Sequence, residues 1–196
     1  MKKLILFIFA ATLVTTSFAQ FNQGGFIVGG SSNLSGSFTT NKTKTGSNTT
    51  TNSKSSSFSI SPQVSYFVID NLSVGAGLEI STSTYKADGS SDKSTTTGLG
   101  LTPLVRYYFD NFYVQGAVRV GSSKTKNTYG SITTESTAVL GGWSLLGGYS
   151  YFLSDAISLE PQLGYSSRSQ KAKGSDTKGV NSGIIIGIGI YAYLNR

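Results

Sequence analysis

Residues 62–78 read Pro62-Gln-Val-Ser-Tyr-Phe-Val-Ile-Asp70-Asn71-Leu-Ser-Val-Gly-Ala-Gly-Leu78, which is two alternating runs joined at an Asp. The same pattern returns in residues 103–117 around Asp110 and in residues 147–161 around Asp155. Alternation with a period of two on both sides of a turn residue predicts a β-hairpin. The three turns lie 40 and 45 residues apart, so we expect a meander of paired strands.

The alternation along the whole chain predicts eight strands, at residues 24–38, 55–69, 72–85, 95–109, 112–124, 134–153, 157–170 and 180–194. Most of them have nine or more residues, and a tilted strand needs about 9 to 11 residues to cross a bilayer. Three connections are short, and the other four run about ten to eighteen residues. This asymmetry is typical of outer-membrane barrels, in which the short turns and both termini lie on the periplasmic side.

The two faces of the predicted strands differ in composition. One face is apolar, and the other carries the charged residues Glu79, Arg106, Arg119, Glu160 and Arg168. Most other positions on the polar face are Gly, Ser, Thr or Gln, which suits a narrow lumen better than a water-exposed sheet. Aromatic residues gather beside the short turns, as in the interfacial girdles of membrane barrels. We therefore expect an all-β protein, an eight-stranded antiparallel up-and-down transmembrane β-barrel with short periplasmic turns and long extracellular loops.

The first nineteen residues have the pattern of a secretory signal peptide. Lys2 and Lys3 precede an apolar stretch at residues 4–14, and Ser17-Phe18-Ala19 forms a small-x-small cleavage site. We expect cleavage between Ala19 and Gln20, which leaves residues 20–196 as one outer-membrane β-barrel domain. The chain has no Cys, so neither a lipid anchor nor disulfides are expected, and a closed barrel is one other source of stability.

The alternating runs, the aromatic-Asp-Asn turns and the Gly-rich last strand resemble the small eight-stranded outer-membrane barrels of the OmpA/OmpX type. The resemblance is closest to the outer-membrane β-barrel domain family of Bacteroidota, and it covers the whole mature chain. It implies a monomer that the barrel assembly machinery folds, with Tyr193 as the candidate for the terminal aromatic residue that this machinery reads. No periplasmic peptidoglycan-binding domain is expected, because nothing follows Arg196.

The residue types exclude most catalytic chemistry. The chain has no His and no Cys, which removes His-dependent triads, Cys nucleophiles and the usual transition-metal ligands. The outer-membrane enzymes that share this kind of fold, such as the lipid A acyltransferase and the omptin proteases, depend on a His. We therefore expect no enzymatic activity, no cofactor and no bound metal.

Four of the charged residues on the polar face fall on two levels of the predicted lumen. Counted from the Asp of its hairpin, Arg106 lies four residues away and Glu160 five, while Glu79 and Arg119 each lie nine away. We expect one ion pair on each level, Glu160 with Arg106 and Glu79 with Arg119. With Gln63, Gln115 and Gln162 these pairs would plug the lumen, because an eight-stranded barrel is just wide enough for side chains to fill. The alternative is that they line a narrow polar channel.

The four long connections, at residues 39–57, 86–95, 124–135 and 171–179, are polar and basic. They contain ten Lys and four acidic residues, a net charge of +6, which would attract lipopolysaccharide phosphates at the outer-membrane lipid surface. Nucleic acid is not an expected partner, because aromatic residues are not interleaved with the Lys. We expect these segments to be solvated, mobile spacers.

Three functions stay open at this point. A barrel with a structural or surface-interaction role is favoured by the filled lumen and the basic loops. A small passive pore is the alternative, and a soluble exported β-barrel that binds a small ligand is the second alternative, because such barrels also alternate between apolar and polar faces.

Overall fold

The computed structural model describes residues 21–31, 35–45 and 48–194. The predicted signal peptide and its cleavage site at Ala19 and Gln20 lie outside them. The described residues contain no helix long and apolar enough to span a membrane.

Eleven antiparallel strands make up the described part of the chain. They are β1 (Phe26–Ser31), β2 (Ser35–Thr45), β3 (Asn48–Ile60), β4 (Gln63–Ile69), β5 (Leu72–Ala87), β6 (Lys93–Phe109), β7 (Phe112–Tyr129), β8 (Ile132–Tyr149), β9 (Tyr151–Phe152), β10 (Ile157–Ala172) and β11 (Lys178–Leu194).

The strands close into a ring of eight passes. The hydrogen-bonded order runs β1, β11, β10, β8, β7, β6, β5, β4, and β4 pairs again with β1. β3 and β4 form one pass, because both pair with β5 in a single register, Ile60 opposite Ile80 and Gln63 opposite Gly77. β8 and β9 likewise share one register on β10. β1 and β2 lie beside the pass formed by β3 and β4, because β1 pairs with β4 and β2 pairs with β3. The predicted eight-stranded antiparallel barrel is confirmed.

The short turns have the residues that their backbone requires. Asn71 and Asp110 adopt positive φ angles of 63° and 52°. Asn and Asp tolerate this left-handed region better than other residues with a side chain. A turn of two residues therefore joins β4 to β5, and another joins β6 to β7.

Each proline lies beside a gap in a hydrogen-bonded ladder. Pro62 separates β3 from β4, and the ladder between β6 and β7 omits Pro103. Pro161 lies where the neighbour of β10 changes from β9 to β8. Because proline has no backbone N–H to donate, these gaps are where it costs least.

The polar connections differ from expectation. Most of their residues extend the strands as hairpins: β7 reaches Tyr129 and β8 begins at Ile132. Cross-strand pairs join the polar side chains, as between Thr96 Oγ1 and Thr125 Oγ1 at 3.0 Å and from Ser94 Oγ to Asn127 Oδ1 at 2.7 Å. Thr is a good strand former even without apolar neighbours, so low hydrophobicity was a poor sign of a loop.

The barrel is apolar outside and polar inside. Its outer surface carries exposed large apolar side chains on every side, among them Val118, Leu145 and Ile186. Rings that include Tyr107, Phe109 and Phe112 are exposed beside the short turns. A continuous apolar belt with aromatic residues at its edge is the surface that fits a bilayer. The inward positions form the lumen, where the charged side chains lie.

Candidate functional site: the barrel lumen

The periplasmic end of the lumen is closed by a layer of aromatic rings. The buried side chain of Ile27 packs with the six buried rings that form this aromatic layer: Phe21, Phe67, Tyr108, Tyr113, Tyr191 and Tyr193. The ring of Phe21 stacks on Tyr108 with centroids 4.1 Å apart and planes 19° apart. Of the aromatic residues that were expected beside the short turns, Phe67, Tyr108 and Tyr113 face inward and belong to this layer.

The chain that precedes β1 holds Phe21 in this layer. The carbonyl of Phe21 accepts a hydrogen bond from the N–H of Asn71 at 2.7 Å, and the N–H of Gln23 donates to Asp70 Oδ1 at 2.8 Å. The short turn between β4 and β5 thus anchors the segment. Sequence reasoning missed this role, because residues 21–25 lack strand periodicity.

The deeper predicted ion pair lies directly above the aromatic layer. Arg106 Nη1 donates to Glu160 Oε2 at 2.7 Å, and both side chains are completely buried. Arg106 also donates from Nε to Gln115 Oε1 at 2.8 Å and from Nη1 to the Tyr108 hydroxyl at 3.0 Å. Burying two charges is tolerable only with such hydrogen bonds in addition to the ion pair.

The other carboxylate oxygen of Glu160 has three hydroxyl donors. Ser150 Oγ donates at 3.0 Å, Ser158 Oγ at 2.9 Å and the Tyr193 hydroxyl at 2.5 Å. Ser150 occupies the break between β8 and β9, where its N–H donates a hydrogen bond to the carbonyl of Asn111. Neither Ser150 nor Tyr193 was among the predicted lumen residues, although the inward parity of Tyr191 and Tyr193 was a usable signal.

Two tyrosine rings cover the guanidinium of Arg106. Its central carbon lies 4.0 Å from the centroid of Tyr113 and 4.7 Å from that of Tyr191. Arg106 Nη2 has no hydrogen-bond partner within the described ranges of the chain. Contact with the electron-rich ring faces partly replaces the hydration that this end of the side chain has lost.

The second predicted ion pair lies one level closer to the extracellular side. Arg119 Nη2 donates to Glu79 Oε1 at 2.7 Å, with 15% and 20% of the two side chains exposed. The structure therefore brings together the four charged residues in the two combinations that their depth indicated. Water reaches this pair more easily than the pair below it.

A cavity of about 150 Å³ adjoins the upper ion pair. Its lining includes Gln63, Glu79, Arg119, Gln162 and Arg168. Of the three predicted glutamines, Gln115 accepts from Arg106 and Gln162 accepts from the Tyr113 hydroxyl at 3.4 Å. Gln63 Nε2 is buried and meets no acceptor in the described part of the chain.

The acidic groups are not arranged as metal ligands. No cluster of three or more His, Cys, Asp or Glu occurs in the part of the chain that the structure describes. On the extracellular hairpins, three ion pairs join Lys54 to Asp88, Lys124 to Glu135 and Lys171 to Asp176. These pairs are exposed, so each contributes little to stability.

Comparisons with known proteins found one matching family and several similar solved structures. The sequence model of the autotransporter beta-domain matches residues 19–184. The translocator domain of the autotransporter NalP from Neisseria meningitidis is 16% identical, with a TM-score of 0.48 over 98% of this chain and 67% of that chain. Neisserial surface protein A (NspA) is 17% identical, with a TM-score of 0.43 over 87% and 99%. The beta domain of the Bordetella autotransporter BrkA is 14% identical, with a TM-score of 0.44 over 85% and 69%. No curated protein matches the chain.

Proposed function

Because the chain belongs to the autotransporter beta-domain family, and is thus a barrel of the outer membrane, we propose that it is a closed barrel with a structural or surface-interaction role. The outer-membrane location excludes the alternative of a soluble exported β-barrel. The finer likeness to the OmpA/OmpX type is part of the same proposal, because it rests on eight passes, a filled lumen and long extracellular hairpins.

The observation that carries the proposal is the completely buried pair of Arg106 and Glu160 above the aromatic layer. A solute that crosses the lumen would have to separate two buried, hydrogen-bonded charges and displace several rings. Filling by side chains is also usual for a barrel of eight strands. These features support a closed periplasmic half in the resting protein.

Planar-bilayer recording of the refolded full chain tests the proposal. We expect no stepwise conductance from the wild type, and a heat-dependent gel shift would show that the barrel is folded. The double variant Phe21→Ala/Tyr108→Ala removes two stacked rings and should conduct more than the wild type. Discrete channels from the folded wild type would overturn the closed barrel.

A small passive pore is the second candidate, and the polar cavity beside Glu79 and Arg119 favours it. In a conducting barrel these residues would line the narrow path. The substitution Arg119→Gln would then change the preference for anions over cations in the same recordings. A closed barrel would show no current whose selectivity could change.

The basic hairpins provide the surface for the interaction role. Five Lys make no ion pair among the described residues: Lys86, Lys93, Lys126, Lys173 and Lys178. We propose that they contact lipopolysaccharide phosphates. The variant Lys126→Gln/Lys178→Gln should bind phosphorylated lipopolysaccharide vesicles more weakly than the wild type does, most clearly at low salt. Equal binding to vesicles that lack the phosphates would contradict this contact.

The remaining expectations belong to the same proposal. The barrel would be a monomer folded by the barrel assembly machinery, with no enzymatic activity, cofactor or nucleic-acid partner. The absence of His and Cys supports the lack of catalysis. Sedimentation of the detergent-solubilised chain would test the monomer.

A further inference from the structure

We propose that the cavity in the extracellular half of the lumen binds a small free oxyanion, a solute with one carboxylate or one phosphate group. The cationic groups would be Arg119 and Arg168, both of which line the cavity. The site lies above the buried Arg106–Glu160 pair. Binding at this cavity therefore does not depend on whether ions cross the whole lumen.

The register of three neighbouring strands places the two arginines on one level. Gly142 of β8 lies opposite Arg119 of β7 on one side and opposite Arg168 of β10 on the other. All three residues line the cavity. The two arginines therefore lie on the strands that flank β8, and Gly142 places no side chain between them.

Gly142 leaves room that no other residue would leave. A Cβ atom built there would lie 2.5 Å from the carbonyl oxygen of Ser167 and 3.2 Å from Cα of Arg168. Any side chain at this position would strain the β8–β10 pairing and occupy the space between the arginines. The glycine therefore maintains a gap that is bordered by positive charge.

Two buried donors at this cavity find no acceptor among the residues that the structure describes. They are Arg119 Nε and Gln63 Nε2, and both residues line the cavity. Leaving a buried donor without an acceptor is unfavourable, and more so when the donor is charged. An oxygen acceptor in the cavity would recover part of that cost, whereas another donor would not.

The charge balance favours an anion over a neutral solute. Glu79 is already paired with Arg119, and Arg168 has no ion pair among the described residues. The charged groups that line the cavity therefore sum to +1. Guanidinium groups bind carboxylate and phosphate oxygens with paired hydrogen bonds, which suits an oxyanion better than a halide.

Size and access limit what can enter. The volume of about 150 Å³ has room for about five water molecules, or for a small anion with a few further atoms. The buried Arg106–Glu160 pair lies between the cavity and the short turns, and Arg168 is exposed to solvent. The anion would therefore enter from outside the cell.

Titration calorimetry on the refolded full chain in detergent tests the site, with inorganic phosphate and acetate as probes and chloride at matched ionic strength as the reference. We expect saturable binding of at least one oxyanion. The substitution Arg168→Gln should weaken binding about tenfold, the size of one charge-assisted hydrogen bond. Gln63→Met keeps the volume, removes a donor and should weaken binding several-fold. Lys171→Gln makes the same charge change outside the cavity, at a Lys that is paired with Asp176, and should leave binding unchanged.

Three results would overturn the proposal. The first is phosphate and acetate giving no more heat than chloride, which means that the cavity holds only water. The second is equal weakening by Arg168→Gln and Lys171→Gln, which means that the basic rim attracts anions without a site. The third is wild-type binding in both Arg168→Gln and Gln63→Met, when the heat-dependent gel shift shows that both variants are folded.

Discussion

Arg106 Nη1 lies 2.7 Å from Oε2 of Glu160, and neither side chain is exposed to solvent. The two residues come from β6 and β10, which are not neighbours in the ring. The ion pair therefore crosses the lumen and links walls that the hydrogen-bonded ladders join only indirectly. The stability of the barrel should depend on this pair more than on any exposed ion pair.

Removing the positive partner should destabilise the barrel strongly. Arg106→Leu leaves the carboxylate of Glu160 buried without its counter-ion, which typically costs about 3 to 5 kcal/mol. The free energy of unfolding in urea, followed by the heat-dependent gel shift, measures the loss. The double variant Arg106→Leu/Glu160→Leu removes both charges and should be more stable than the single variant. A single variant as stable as the wild type would show that the pair is not structural.

The upper ion pair should respond differently to the same kind of change. Glu79→Gln breaks the contact to Arg119, but solvent reaches both side chains. The expected loss in the free energy of unfolding is about 1 to 3 kcal/mol, smaller than that of Arg106→Leu because the side chains are partly exposed, and it should shrink in high salt. A loss as large as that of Arg106→Leu would mean that the upper lumen is closed to water.

The depth of both ion pairs could be counted from the sequence because short turns fix the register of a hairpin. Asp70, Asp110 and Asp155 mark one end of the barrel, so residue counts from them become heights in the lumen. The contacts of Ser150 and Phe21 could not be counted in this way. Ser150 points to Glu160 from a break in a strand, and Phe21 precedes the first strand altogether.

The extracellular hairpins show where strand structure could not be predicted from the sequence. Residues 124–135 are mostly Thr, Lys, Ser and Asn, with Tyr129 and Ile132 as the large apolar side chains, which is also the composition of a loop. Their strand structure comes from continued pairing beyond the membrane, with Lys124 opposite Thr137 and Thr128 opposite Thr133. Pairing between distant residues has no local signature when neither face is buried.

The aromatic layer should depend on its N-terminal ring. Phe21→Ala removes the ring that stacks on Tyr108 and contacts Phe67, Phe152 and Tyr193. Because the side chain is buried, we expect a loss of about 3 kcal/mol in the free energy of unfolding. Phe38→Ala is the matched control, since Phe38 is 88% exposed and should be replaceable without loss. Equal stability of both variants would show that the segment before β1 does not support the barrel.

Glycines that face the lumen should divide into essential and replaceable positions. A Cβ at Gly164 would lie 2.1 Å from the carbonyl oxygen of Leu145, whereas one at Gly183 meets no atom within 4 Å. Gly164→Ala must therefore displace the backbone of β8 or β10, and overpacking of this kind typically costs about 1 to 3 kcal/mol. Gly183→Ala should be neutral or slightly stabilising, because alanine restricts the unfolded chain. Urea unfolding of the two variants side by side measures the difference. If Gly164→Ala is as stable as Gly183→Ala, then close approach of the strands does not explain the glycines in this lumen.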